Sequence, residues 1–163
     1  MKKLLVSSLV VCLSFLAVAA PVGASLGVGY ETLTILPHAL TLNYWDKDSG
    51  WGLKSSADFG TSALSLSASI ISIIATVGLS GATDVNFVTL AVTKDFHQEE
   101  NARSYFKLGA LALSGKVAGE LKTGYLPIVG AGWEWRNLFG GNWACSSELG
   151  VPELWTLGLK YYF

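Results

Sequence analysis

From Leu154 to Phe163 the chain alternates strictly. Trp155, Leu157, Leu159, Tyr161 and Phe163 fall on one side of a period-2 zigzag, and Thr156, Gly158, Lys160 and Tyr162 on the other. Extended as a strand, the segment is apolar on one face and polar or small on the other. Its apolar face is closed by aromatic residues at both ends, and its ten residues match the length of a strand that crosses a bilayer. Such a strand takes about 9 to 11 residues, and Trp and Tyr settle at the water interfaces because each is an apolar ring with one polar handle.

The same alternation recurs upstream. Leu26 to about Thr34 sets Leu26, Val28 and Tyr30 against Gly27, Gly29 and Glu31. Ala39 to Trp45 sets Leu40, Leu42 and Tyr44 against Thr41, Asn43 and Trp45, and Trp51 to Phe59 sets Trp51, Leu53, Ala57 and Phe59 against Lys54 and Asp58. Val85 to Phe96 alternates less cleanly, with Val88, Leu90 and Val92 on the apolar side. Arg103 to Leu113 opposes Phe106, Leu108, Ala110 and Ala112 to Tyr105, Lys107 and Gly109. Thr123 to Trp135 opposes Tyr125, Val129, Ala131, Trp133 and Trp135 to Gly130, Gly132 and Glu134, with Pro127 predicting a bulge or strand end nearby. Trp143 to Leu149 is the seventh strand, and the C-terminal segment the eighth. Turns are predicted at 36–38, 46–50, 97–102, 137–142 and 150–153, and a polar loop at 114–122.

Between Phe59 and Thr83 there is no charged residue. Ser62, Ser65, Ser69, Ser72 and Thr76 recur at spacings of three and four, which predicts a short helical insert over about 62–79 with one polar stripe. The alternation of Leu64, Leu66, Ala68 and Ile70 with Ser65, Ser67 and Ser69 also fits strand extensions or a hairpin, and fails at Ile71.

Composition narrows the class. The chain is 51% hydrophobic and only 14% charged, which is high for a soluble domain, yet no segment after the N-terminal run is a convincing transmembrane helix. Lys2 and Lys3, the uncharged run Leu4 to Ala20 and the small residues Val22, Gly23 and Ala24 read as a secretory signal peptide, residues 1–24, cleaved after Ala24. The mature domain is then 25–163. It keeps one cysteine, Cys145, so no intramolecular disulfide can form; between Trp143 and Ser147 the thiol reads as a small wall position. Without Lys2 and Lys3, nine basic residues stand against twelve acidic ones and no basic cluster remains, which excludes a nucleic-acid partner.

Ending in Phe163, preceded at every second position by Tyr161, Leu159 and Leu157 with Gly158 between, the chain resembles bacterial outer-membrane β-barrel proteins in their C-terminal assembly signal. The resemblance implies localisation in the outer membrane, the lipid bilayer as solvent and the barrel-insertion machinery as a partner during assembly. Tyr162, on the other face, is expected to matter less to that signal. Eight strands with both ends periplasmic imply an all-β fold: a closed antiparallel up-and-down transmembrane barrel, monomeric, which leaves no sheet edge and no unpaired backbone group in lipid. At eight strands the interior is just wide enough to be filled by side chains.

The inward charges are Glu31, Lys54, Asp58, Lys107, Glu134, Glu148 and Lys160. Counting each strand from its periplasmic end, at about 2.5 Å of height per residue, places Lys54, Lys107, Glu134 and Lys160 in a lower tier and Glu31, Asp58 and Glu148 in an upper one. The expected lumen is basic below and acidic above. No catalytic, cofactor-binding or metal site is expected: phosphate loops, paired cysteines and a nucleophile elbow are absent. His38 and His97 are followed by Ala39-Leu40 and Gln98-Glu99, not by the His-x-Ser of the lipid A deacylases. The function that follows is a structural or surface-exposed outer-membrane barrel. The alternatives are a lipid-modifying enzyme, a narrow pore, or a soluble lipocalin-like carrier with its polarity reversed.

Overall fold

The computed structural model of the chain describes residues 24–33, 39–58 and 76–163. Within them eight strands run antiparallel in sequence order: β1 (Ala24–Leu33), β2 (Ala39–Asp46), β3 (Trp51–Asp58), β4 (Thr83–Gln98), β5 (Ala102–Val117), β6 (Glu120–Leu138), β7 (Trp143–Val151) and β8 (Leu154–Tyr162). β8 pairs back onto β1, with Gly27 opposite Tyr162 and Leu33 opposite Thr156, and closes the barrel. The signal segment up to residue 23, His38, Phe59 and the candidate insert at 62–79, except for its last four residues, lie outside the described residues.

The period-2 pattern sets the faces. On β2 every inward position is buried, and on β7 and β8 every one except Gly150 and Leu154 beside the far turn, while the outward ones stay exposed or half-exposed. The outward face is the greasy one. Leu90, Leu108, Val129, Leu149, Leu157 and Leu159 are all exposed there. Exposed aromatics gather at the end where β1 begins and β8 finishes, here the near end: Trp51, Phe96, Trp133, Trp135, Trp143 and Phe163. Tyr30, Tyr125 and Trp155 stand toward the far end. On β6, Tyr125 and Trp135 bracket an apolar band that works out at about 25 Å of height for a tilted strand.

The near-end turns are short, whereas β4, β5 and β6 run on past the far rim. The expected polar loop at 114–122 is instead a continuation of the sheet, with Val117 opposite Glu120 across a two-residue turn. Ala118 (φ 52°) and Gly119 (φ 87°) both adopt positive φ, the geometry in which a two-residue turn matches the strands' own twist. Ser114, Lys116 and Lys122 made this stretch read as loop. Their polarity marks where the sheet leaves the apolar band, not where it stops.

Nor does Pro127 cause a bulge. β5 and β6 hold one register from Ala102 opposite Trp135 to Val117 opposite Glu120, and Pro127 sits within it opposite Ala110. The strand end nearby belongs to β7, whose pairing stops at Val151 opposite Val129, so no β7 residue needs the N–H that proline lacks. The irregularities fall elsewhere, between Thr83 and Asn86 and between Asp95 and His97 on β4, and between Trp135 and Leu138 on β6.

Inside, the far third of the barrel is apolar. Leu79, Phe87, Leu111, Leu113 and Ile128 are buried together, and Val77 packs so closely over Gly124 that a Cβ there would collide with Val77 Cβ. Residues 77–82 thus cover the inner face of the β4–β6 extension. The polar lumen lies below them.

Candidate functional site: the charge network of the lumen

Every strand but β2 delivers an inward charge by parity alone, and closure of the barrel makes those charges meet. Two buried carboxylates act as hubs. Glu134, fully buried on β6, accepts from Arg103 Nε at 3.0 Å and Nη2 at 3.3 Å, from Arg136 Nε at 3.0 Å, from Lys160 Nζ at 3.0 Å and from the Tyr162 hydroxyl at 2.9 Å. Five donors on one carboxylate occupy its lone pairs.

Glu148 on β7 is the second hub. It accepts from Lys54 Nζ, the Tyr105 hydroxyl and Lys107 Nζ, each at 2.6 Å. Lys54 also lies 2.7 Å from Glu31 Oε1, an ionic contact off the hydrogen-bonding direction, since that oxygen has no hydrogen-bond partner. Lys107 reaches on to Glu153, which folds back from the β7–β8 turn. Lys160 joins the two hubs, at 3.0 Å from Glu134, 3.8 Å from Glu31 and 4.0 Å from Glu148.

At the near end the network is aromatic as well as ionic. The Arg103 guanidinium lies 4.8 Å from the Trp45 ring centroid and 4.7 Å from that of Tyr105, and Arg136 lies 3.4 Å from Trp45. Trp45 Nε1 donates to Asp95 at 2.8 Å, and Arg103 Nη1 stands 3.4 Å from the same carboxylate. Guanidinium groups held over aromatic rings desolvate without losing contact with a negative surface.

Of the charges expected inside, Glu31, Lys54, Lys107, Glu134, Glu148 and Lys160 are buried in the lumen and brought together. Asp58 stands in β3 opposite Ala39, and its side chain lies outside the described residues. The expected segregation, basic below and acidic above, is overturned. Lysine stems of about 6 Å span the difference in height between Cα positions, so every buried ammonium ends against a carboxylate, and the level above the charges is apolar rather than acidic.

Sequence reasoning passed over Arg103, Arg136, Asp95 and Glu153. Arg103 shares parity with Tyr105 and Lys107 at the start of a strand already read, and extending the β6 alternation one residue beyond Trp135 finds Arg136 on the side of Glu134. Glu153 carries no such signal, because a turn resets parity. Elsewhere, His97 contacts Glu99 at 3.0 Å on an exposed turn, and Cys145 is a free thiol on the outward face between Trp135 and Leu159. Leu157, Leu159, Tyr161 and Phe163 face outward, and Tyr161 stacks edge-on with Trp143 at 5.2 Å and Phe163 at 5.4 Å. Gly158 faces inward, where a Cβ would meet Ser146 Oγ at 2.7 Å.

No protein-family model matches the chain, and no curated protein matches it. Among solved structures it is similar to the N-terminal β-barrel domain of Pseudomonas aeruginosa OprF, with a TM-score of 0.53 and 12% identity over 86% of this chain and 96% of that one. It is also similar to Yersinia pestis Ail in a phospholipid bilayer nanodisc, with a TM-score of 0.48 and 18% identity over 86% and 98% of the two chains. At such identities the likeness to OprF is one of fold: the chain has the closed eight-stranded antiparallel architecture of the small outer-membrane β-barrels.

Proposed function

We propose that this chain is an integral outer-membrane β-barrel protein with a structural or surface-exposed role, exported through a cleaved signal peptide, inserted by the barrel-insertion machinery and monomeric in the bilayer. One observation carries the reading: polarity is inverted relative to a water-soluble barrel. Leucines and valines stand exposed on the outside between aromatic girdles, while lysines, arginines and glutamates are buried within. Water outside would reward the opposite arrangement, whereas hydrocarbon rewards this one. A lipocalin-like carrier would need the reverse.

On this reading the lumen is packing and not a catalytic centre. Glu134 and Glu148 spend their lone pairs on buried cations and phenols, and a carboxylate held by three to five donors is a poor base. The apolar plug of Leu79, Phe87, Leu111, Leu113 and Ile128 stands against a continuous water path, and so against the narrow pore.

Membrane fractionation with gel migration tests the proposal. The mature chain is expected in the outer-membrane fraction, released only by detergent, and migrating differently before and after boiling. Recovery as a soluble monomer without detergent, or identical migration of boiled and unboiled material already shown to be folded, would overturn it.

A further inference from the structure

We propose that the near rim of the outer wall binds a zwitterionic phospholipid headgroup of the phosphoethanolamine class, its phosphate on Lys94 and its ammonium on Asp46. The site requires this wall to stand in lipid, and so rests on the function proposed above.

Lys94 continues the outward alternation of Val88, Leu90 and Val92 on β4 and is exposed. Among the described residues it is the one cation that a strand presents outward at the level of the near aromatics. Its register partner on β3 is Trp51, whose ring centroid lies 5.2 Å from Lys94 Nζ, and the ammonium donates to the Ser49 carbonyl at 2.5 Å. Both partners are uncharged, and no described carboxylate pairs with it. A lysine that stretches its stem from a lipid-facing strand toward the rim delivers a point charge where phosphates lie.

The anion beside it is held as firmly. Asp46 closes the β2–β3 turn, accepting from the Asp48 N–H at 3.1 Å and from the Ser49 hydroxyl at 2.6 Å, and neither contact neutralises it. Ser49 thus touches both charges, Lys94 through its carbonyl and Asp46 through its hydroxyl. The turn is strapped to β4: Asp95 N–H donates to the Gly50 carbonyl at 2.8 Å and Gln98 Nε2 to the Lys47 carbonyl at 3.3 Å, which fixes the spacing of the pair. With Lys47 and Asp48 exposed on the same turn, two cations stand against two anions. A patch with separated signs and no net charge suits a zwitterion better than an anion. An ethanolamine ammonium also brings N–H donors for the carboxylate, which choline lacks. Trp51 and the adjoining rings of Phe96 and Phe106, 4.6 Å apart, offer the glycerol and first methylenes an apolar face.

The test titrates dihexanoyl phosphatidylethanolamine into the mature chain refolded in dodecyl maltoside, an uncharged detergent without phosphate. The Trp51 indole N–H is followed by nitrogen-15 NMR and assigned with Trp51→Phe. A saturable shift is expected, with the matching phosphatidylglycerol and phosphatidylcholine binding several-fold more weakly. Lys94→Met, which keeps a stem over Trp51, should weaken binding of the ethanolamine lipid by about fivefold or more. Asp46→Asn, which keeps an acceptor for the Asp48 N–H, should remove the preference over phosphatidylglycerol. Both positions lie outside the lumen network, and heat-modifiable migration of the same samples reports whether the barrel is folded. In a folded barrel, a non-saturable response, equal affinity for the three headgroups, wild-type affinity in Lys94→Met or a preference that survives Asp46→Asn would overturn the site and leave the membrane reading standing. Recovery of the chain as a soluble monomer without detergent would overturn both.

Discussion

The Tyr105 ring fills the space in which a side chain at Gly132 would stand: a Cβ at position 132 would lie 2.6 Å from Tyr105 Cζ and 2.7 Å from its hydroxyl. The two residues are register partners on β5 and β6. The ring therefore lies across its neighbour's missing side chain, and its hydroxyl reaches Glu148 at 2.6 Å. Gly27 and Tyr162 repeat the arrangement at the β1–β8 seam, where a Cβ on Gly27 would meet the Tyr162 ring at 2.8 Å. At both places an inward tyrosine lies over the side chain that the neighbouring strand lacks.

Gly132→Ala is accordingly expected to destabilise the barrel by about 1–3 kcal/mol through overpacking, measured by urea unfolding in micelles. Combined with Tyr105→Leu, its cost should shrink, because the clash then has no ring to meet. Strict additivity of the two substitutions would show that the ring is not what the glycine accommodates.

Glu134 and Glu31 are both buried, but they differ in how much they hold. Glu134→Gln takes the negative charge from two arginines and Lys160, and a loss of about 3–5 kcal/mol is expected for stranding buried cations. Glu31→Gln leaves Lys54 still paired with Glu148, so a smaller loss is expected. Denaturant midpoints of the two variants in the same detergent decide the order, and a reversed order would mean that Glu134 is not the main hub.

The apolar band makes a claim about solvent. Leu108 lies in mid-band on the outer face and Thr123 on the extension beyond the far rim, and both are exposed. Leu108→Arg should cost about 2–4 kcal/mol in a lipid bilayer and Thr123→Arg close to nothing. Equal costs, read from reversible unfolding in liposomes, would place the hydrocarbon somewhere other than this band.

Phe163 and Tyr162 adjoin in sequence but should fail in different ways. Phe163 is exposed on the outer face, whereas Tyr162 is buried against Gly27 with its hydroxyl on Glu134. Phe163→Ala should lower the amount inserted in cells while leaving the refolded protein within about 1 kcal/mol of wild type. Tyr162→Ala should lower stability itself by about 3–5 kcal/mol, as a large side chain lost from a packed interior does. Tyr162 is thus expected to act on stability, and Phe163 on assembly. Cell-envelope levels and in vitro unfolding, compared for both variants, separate the two effects, and parallel losses in both measurements would dissolve the distinction.

Alternation along single strands was enough to determine which way each side chain points, and hence that Lys54, Lys107, Glu134, Glu148 and Lys160 lie within and Leu157 and Leu159 without, because a strand's side chains reverse face at every residue whatever surrounds them. The strand count and the closed topology followed from the same local pattern, since a strand apolar on its outer face finds no stable edge in lipid. Which inward charges meet was decided only by the tertiary structure. Contact across a lumen depends on register, on the stagger of eight tilted strands and on the reach of flexible lysine stems, and none of these is local. Height counted along each strand therefore separated Lys54 from Glu31 and Glu148, whereas in the barrel its ammonium lies between them at 2.7 and 2.6 Å. The far-end extension of β5 and β6 was likewise hidden, because residues that leave the hydrocarbon while staying in the sheet turn polar just as a loop does. Glu153, carried into the lumen by a turn that resets the alternation, had no position in any strand from which its contact with Lys107 could be read.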